Sequence, residues 1–288
     1  MTVPCVRQSW VRLVVGSALL VAGLQWAGAE DVIYTQTQTN RGQVKAVSST
    51  AVTLVTALGE MNIPRASIVK LDVVAPVPIL KGIAAFEKGN YREAQINLTG
   101  VTTYLGLDAE WAEKGLIALA KCVLAGGDLA KAESQFNDFI QAYPPPASEH
   151  SVDAELGLAM VAIAKKDYET AMAKFIEVAE PFDKVLKPSR DQIANASECY
   201  LGMGKCLESQ DKLDEALVAY LKVVALYFSD TACPEAAYQA AMIMARQNQV
   251  EKASGLFDLL IETYPTSEFA KKAIEARKSM PVSVASEK

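Results

Sequence analysis

Five alanines constrain this chain more than any other feature. Ala94, Ala132, Ala171, Ala216 and Ala253 recur at spacings of 38, 39, 45 and 37 residues. Three positions before each stands Tyr91, Leu129, Tyr168, Leu213 or Val250. Four positions after stands Leu98, Phe136, Phe175, Tyr220 or Phe257, and seven after stands Val101, Phe139, Val178, Val223 or Leu260. Offsets of three, four and seven fall on one face of a helix. Twelve positions before each anchor the residue is always small: Gly82, Ala120, Ala159, Gly204, Ala241. A small residue on each of two successive helices lets their axes approach closely. The chain from about residue 79 onward therefore reads as a row of five helical hairpins, none able to bury its apolar stripe without a neighbour.

Breakers and caps fall between the stripes. Gly89-Asn90, Gly126-Gly127-Asp128, Lys166-Asp167 and Gln210-Asp211 mark the turns within hairpins. Asn90 and Asp128 are good N-caps, and Asn90 with Glu93 fits a capping box. Tyr143-Pro144 and Tyr264-Pro265 end second helices, because proline cannot continue them. Pro181 and Pro188 fall inside the widest spacing and predict a kinked helix or an ordered loop over residues 180–190. Ser267 to Ser279, rich in lysine and glutamate, reads as a helix capping the open end of the stack. The small residue, the Gly89-to-Ala94 turn (Gly-Asn-Tyr-x-x-Ala), the residue four later and the terminal proline together resemble the tetratricopeptide repeat (TPR) family over about 200 residues. The stretch Tyr264 to Ala273 is similar to the bacterial cell-envelope branch, which includes the tol–pal cell-division coordinator and outer-membrane assembly factors.

The residues before the hairpins read differently. Val32–Tyr34, Val44–Val47, Val52–Val55, Met61–Ile63 and Ile68–Val73 are short β-rich runs, separated by Thr39–Gly42, Ser48–Thr50 and Leu58–Glu60 as polar turns. Five short strands in so few residues suggest a small, strongly bent barrel. Gly42-x-Val44, Val52-x-Leu54, Gly59-Glu60-x-x-Ile63-Pro64 and Ile68-Val69-x-Leu71 resemble Sm-like and SH3-like barrels. The expected fold is mainly α: a TPR-like α-solenoid of about five hairpins plus a capping helix over residues 76–280, preceded by the β module at 30–75. A disordered tail is expected at 281–288.

Residues 1–29 carry the three parts of a secretory signal. Arg7 and Arg12 are the only charges, Leu13 to Leu24 is apolar or small, and Ala27-Gly28-Ala29 is a small-x-small cleavage site. Cleavage after Ala29 and a periplasmic location are expected. The alternative is an uncleaved anchor in the inner membrane, although the run falls short of the ~20 residues that span a bilayer. Cys5 precedes the apolar run and is not placed for lipidation. Loss of two arginines leaves 26 basic against 34 acidic residues, a net charge of −8. Such a chain is a poor partner for nucleic acid, whose affinity comes from neutralised phosphates, and for anionic membrane surfaces. Four cysteines remain, Cys122, Cys199, Cys206 and Cys233. Cys199 and Cys206 stand about 10 Å apart along a helix, beyond disulfide reach. Buried thiols acting as small apolar residues are expected.

Candidate chemistry is sparse. His150, the single histidine, lies in a proline-rich turn and reads as a solvated turn residue. Gly202-Met203-Gly204-Lys205 lacks the spacing and hydroxyl of a phosphate loop. Glu208, Asp211, Asp214 and Glu215 cluster at a turn, where capping and solvation account for them. Asn97-Leu98-Thr99 and Asn195-Ala196-Ser197 match glycosylation acceptors, but both fall in predicted helices. No catalytic residue, cofactor or metal is expected. Two other classes stay open: a cell-wall enzyme with an unrecognised carboxylate pair, and an Sm-like nucleic-acid module.

What remains is a surface. The TPR resemblance implies a groove lined by positions fifteen and eleven before each anchor. The first set is Ile79, Ile117, Leu156, Leu201 and Tyr238; the second is Ile83, Lys121, Met160, Lys205 and Met242. The resemblance thus places the partner-binding groove at Ile117, Lys121, Leu156, Met160, Leu201, Lys205, Tyr238 and Met242. It implies a protein or peptide partner, either an amphipathic helix or an extended apolar segment. The lysine-and-asparagine clamp that some relatives use for peptide C-termini is absent. The competing expectation is that these residues are core, covered by long helices and neighbouring hairpins.

Overall fold

The computed structural model describes residues 30–144, 148, 150–229 and 231–279. The expected signal sequence and C-terminal tail lie outside them. Among the described residues no helix is long and apolar enough to cross a membrane.

Five antiparallel strands come first: β1 (Asp31–Thr35), β2 (Thr39–Val47), β3 (Ala51–Thr56), β4 (Gly59–Pro64) and β5 (Ile68–Asp72), in the order β4-β3-β2-β1-β5. Alternation sends Ile33, Val44, Val52, Leu54 and Ile63 into one small core. Residues Thr39 to Gly42, expected as a turn, are instead the start of β2, paired with β1 through Asp31↔Gly42 and Tyr34↔Thr39. Gly42 is needed there for closeness: a Cβ would sit 2.2 Å from the Val55 carbonyl oxygen. A bulge between Val44 and Ala46 lets β2 pair with β1 at one end and β3 at the other. A single 3₁₀ turn, Arg65–Ser67, joins β4 to β5.

Eleven α-helices follow among the described residues. They are α1 (Val77–Glu87), α2 (Tyr91–Leu98), α3 (Glu110–Ala125), α4 (Leu129–Ala142), α5 (Ser151–Ala164), α6 (Tyr168–Asp183), α7 (Arg190–Ser209), α8 (Leu213–Leu226), α9 (Cys233–Arg246), α10 (Val250–Thr263) and α11 (Glu268–Lys278). They form five hairpins, α1–α2 to α9–α10, with α11 packed on the last, as expected of a TPR-like solenoid. All five anchor alanines are fully buried, and the residues four and seven positions after them are buried too.

The joint inside each hairpin has one geometry. Every first helix ends seven residues before its anchor and every second helix begins three before it. Five before the anchor the backbone turns left-handed, at Gly89, Gly127, Lys166, Asp211 and Asn248, with φ between 58° and 84°. Two of the five are glycine; the other three bear the cost of an L side chain in that region. Asp128 and Asp167 then cap the second helices, accepting from the Lys131 and Thr170 amides at 3.2 and 3.1 Å. Asn90 caps likewise, but Glu93 bonds the Asn90 side chain rather than its backbone, so no full capping box forms there. The full box is Ser189 with Gln192.

Glycines set the spacing between hairpins. A Cβ on Gly157 would lie 2.3 Å from the tip of the Phe136 ring, and one on Gly202 would lie 2.2 Å from that of Phe175. Both glycines stand fourteen residues before their own anchor, facing the ring of the preceding hairpin. Gly204 does the same within its hairpin, 2.3 Å from Tyr220. Pro181 does not end α6, which runs two residues past it; Pro188 precedes the Ser189 cap of α7.

The β module is fastened to the first two hairpins. The Arg65 guanidinium donates to the carbonyls of Gly106 and Ser48. Trp111 Nε1 donates to Val73 O at 3.4 Å, and the Tyr104 and Trp111 rings meet edge to face at 4.9 Å. The Asp31 carboxylate accepts from Val44 N and Val74 N at 2.8 and 3.0 Å, tying the strand to the start of the linker.

Candidate partner-binding groove

A cleft of about 630 Å³ opens across the first helices of all five hairpins. Its walls come from the end of α1 (Phe86, Glu87), the start of α2 (Tyr91), α3 (Lys121, Leu124), α5 (Leu156, Met160), α7 (Glu198, Leu201, Lys205), Thr231 before α9 and Glu235 in its first turn. The volume lies in the ordinary range for ligand sites.

Of the eight groove residues expected from sequence, five line this cleft: Lys121, Leu156, Met160, Leu201 and Lys205. The other three do not. Ile117 is buried in the core of the first two hairpins. Tyr238 and Met242 pack in the C-terminal cluster, where the Tyr238 ring lies 6.0 Å from that of Phe257 and 5.9 Å from that of Phe269. Leu156 and Leu201 expose only 1% and 7% of their surface, so they form a floor rather than an anchor. The reason is local. Each stands beside one of the glycines that admit the preceding hairpin's aromatic ring, in the tightest seam of the stack.

Of the residues eleven before each anchor, Lys121, Met160 and Lys205 line the cleft half-buried, and the charges of the two lysines are committed. Lys121 Nζ lies 2.9 Å from Asp153 Oδ1, and Lys205 Nζ lies 2.8 Å from Glu235 Oε1. Each lysine reaches from one hairpin's first helix to the next, so the pair act as braces. Burial opposes the charge on Lys121, but Glu198 and Asp153 outweigh it and raise its pKa. Burial likewise opposes the Asp153 carboxylate; the hydrogen bond from His150 and the Lys121 charge prevail and hold it at about 2. His150 is therefore not a solvated turn residue. Its Nδ1 lies 3.1 Å from Asp153 Oδ2, and that hydrogen bond raises its pKa against the effect of burial.

All four remaining cysteines are buried, and burial pushes the Cys122 and Cys206 thiols up to about 11. Among the described residues no group of histidine, cysteine or carboxylate side chains is arranged to hold a metal ion.

Sequence reasoning missed the acidic partners. Asp153, Glu198 and Glu235 each stand eighteen residues before an anchor. An acid recurring at one offset was the available signal. Its meaning lies in a contact to the neighbouring hairpin, which offsets within one hairpin do not reveal.

Stacked hairpins, the constant joint and the cleft across the first helices define a TPR-like α-solenoid. Residues 235–267, covering α9 to the start of the cap, match the family model for the tetratricopeptide repeat. Among solved structures, TTC0263, a thermophilic TPR protein of Thermus thermophilus, is similar in fold at 14% identity and a TM-score of 0.51, over 69% of this chain and 96% of its own. MamA AMB-1 aligns at 18% identity and a TM-score of 0.41, over 65% and 97%. YrrB, described as a TPR protein with an unusual peptide-binding site, aligns at 19% identity and 0.39, over 69% and 90%. No curated protein matches the chain.

Proposed function

We propose that this protein is an exported, non-catalytic scaffold that binds a protein or peptide partner in the cleft across its first helices. The observation that carries the reading is the cleft itself: about 630 Å³, apolar on its floor and edged by fixed charges. Export rests on the charge, apolar run and small-x-small order of residues 1–29, with the uncleaved anchor as its alternative form. The net charge of −8 after cleavage argues for a protein partner over nucleic acid. We read the β module as Sm/SH3-like, supported by its strand order, its bulged β2 and the 3₁₀ turn before β5. We place the chain with the cell-envelope branch on the Tyr264–Ala273 motif, which overlaps the matched repeat.

A photo-crosslinking amino acid at position 160, on the cleft, and at position 176, an outer residue of α6 that is 52% exposed, tests the binding surface in cells. A specific adduct from position 160 and none from 176 is expected. Adducts from 176 alone would refute the cleft. Fractionation of the same cells locates the protein, and a cytoplasmic pool of uncleaved chain would refute export.

A further inference from the structure

The braces follow a rule. A lysine eleven residues before one anchor pairs with an acid eighteen residues before the next: Lys121 with Asp153, and Lys205 with Glu235. Between these two braces the same geometry should pair the residue at 160 with Glu198. Position 160 is methionine. Glu198 keeps the acid of the pattern and lacks its lysine. It acts on Lys121 through space, but among the described residues it makes no hydrogen bond or ion pair. Its side chain lines the cleft.

We propose that the partner supplies the missing cation: a lysine or arginine on a short extended segment, bound by Glu198, with an apolar neighbour packed on Met160 and Leu124. This rests on the reading of the cleft as the binding site. Charge supports it, since the cleft holds Glu87, Glu198 and Glu235 against Lys121 and Lys205, and both lysines are already paired. Met160 and Leu124 line the cleft together with Glu198, so a short extended segment can set a basic side chain on the carboxylate and an apolar neighbour on the other two. A carboxylate-bearing peptide terminus, by contrast, would meet an acidic centre whose lysines are engaged.

A random hexapeptide library displayed on phage, panned against the mature chain, tests this. The wild type should enrich peptides with lysine or arginine beside an apolar residue. Clones from that panning should bind Glu198→Gln at least tenfold more weakly. They should also bind Met160→Lys at least tenfold more weakly, because the introduced lysine completes the internal brace and occupies Glu198. Met160→Lys should in addition raise the Tm, a readout independent of any ligand. Peptides that are neutral or acidic, yet lost on Met160→Glu, would overturn the cationic partner while leaving the cleft as the binding site. Clones indifferent to all three variants would overturn both. Basic clones whose binding survives Glu198→Gln would overturn the role of Glu198.

Discussion

Alanine in place of glycine should have opposite effects at two helical positions of this protein. Gly255 lies in α10 with nothing within 4 Å of the place a Cβ would occupy. There Gly→Ala gains the usual helix propensity, about 1 kcal/mol. Gly157 lies in the middle of α5, where three Phe136 ring atoms would stand 2.3, 2.4 and 2.7 Å from the new Cβ. Carbon atoms at rest keep about 3.5–4.0 Å, and Phe136 is fully buried, so the ring has nowhere to retreat. Overpacking of this kind costs about 1–3 kcal/mol. With such close approach to three atoms the upper figure applies, and subtracting the propensity gain leaves Gly157→Ala destabilised by about 2 kcal/mol. Urea denaturation followed by far-UV circular dichroism reads both, provided the m-value is unchanged. In a Phe136→Leu background the ring tip is gone and Gly157→Ala should recover at least ~1 kcal/mol in a double-mutant cycle. Equal stabilisation by Gly157→Ala and Gly255→Ala would refute the reasoning, for then the glycine is not what sets the distance between hairpins.

Two further predictions concern charge and turn geometry. Asp153 has a folded pKa of about 2 against 3.8, so its contribution of roughly 2 kcal/mol is complete above pH 3.8 and lost as pH falls towards 2. The raised pKa of His150 works the other way: its contribution is complete below 6.5 and lost as pH rises through the folded value. Asp153→Asn should lower the His150 pKa, visible by NMR because the chain has one histidine; an unmoved titration would show that the two do not interact. Lys166→Gly should raise stability by about 1 kcal/mol, since a lysine at φ 62° bears a strain that glycine avoids. Asn248→Gly should gain less, because asparagine tolerates that region. A fall in Tm for Lys166→Gly would refute the turn argument.

The hairpins were legible in the sequence because their information is local and repeated. An anchor, its stripe and the small residue on the opposite helix all belong to one hairpin, and five copies fix the offsets. What lay between hairpins was not legible in the same way. Ile117 and Leu156 carry the apolar identity of a groove or of a core alike, and the packing of neighbouring hairpins decides which. The fate of Lys121 and Lys205 depended on acids in the next hairpin. His150 stands at the N-cap of α5, three residues before Asp153, and the proline-rich composition of its turn hid that local pairing. Thr39 to Gly42 has turn composition, yet pairing with β1 extends it as strand, because Gly42 provides the clearance that Val55 O requires.

The constant joint has a consequence for where this chain can vary. Its three residues are fixed in number in every hairpin and its φ angles repeat. All the irregularity in the spacings of 38, 39, 45 and 37 residues is thereby pushed to the other margin, into connections between hairpins and the helix ends beside them. There α7 begins early, α2 and α3 are separated by a 3₁₀ turn, and the β module is fastened through Arg65 and Gly106. The solenoid has one conservative margin, where an inserted residue would break a left-handed turn, and one permissive margin, where length has already been added and a second domain accommodated.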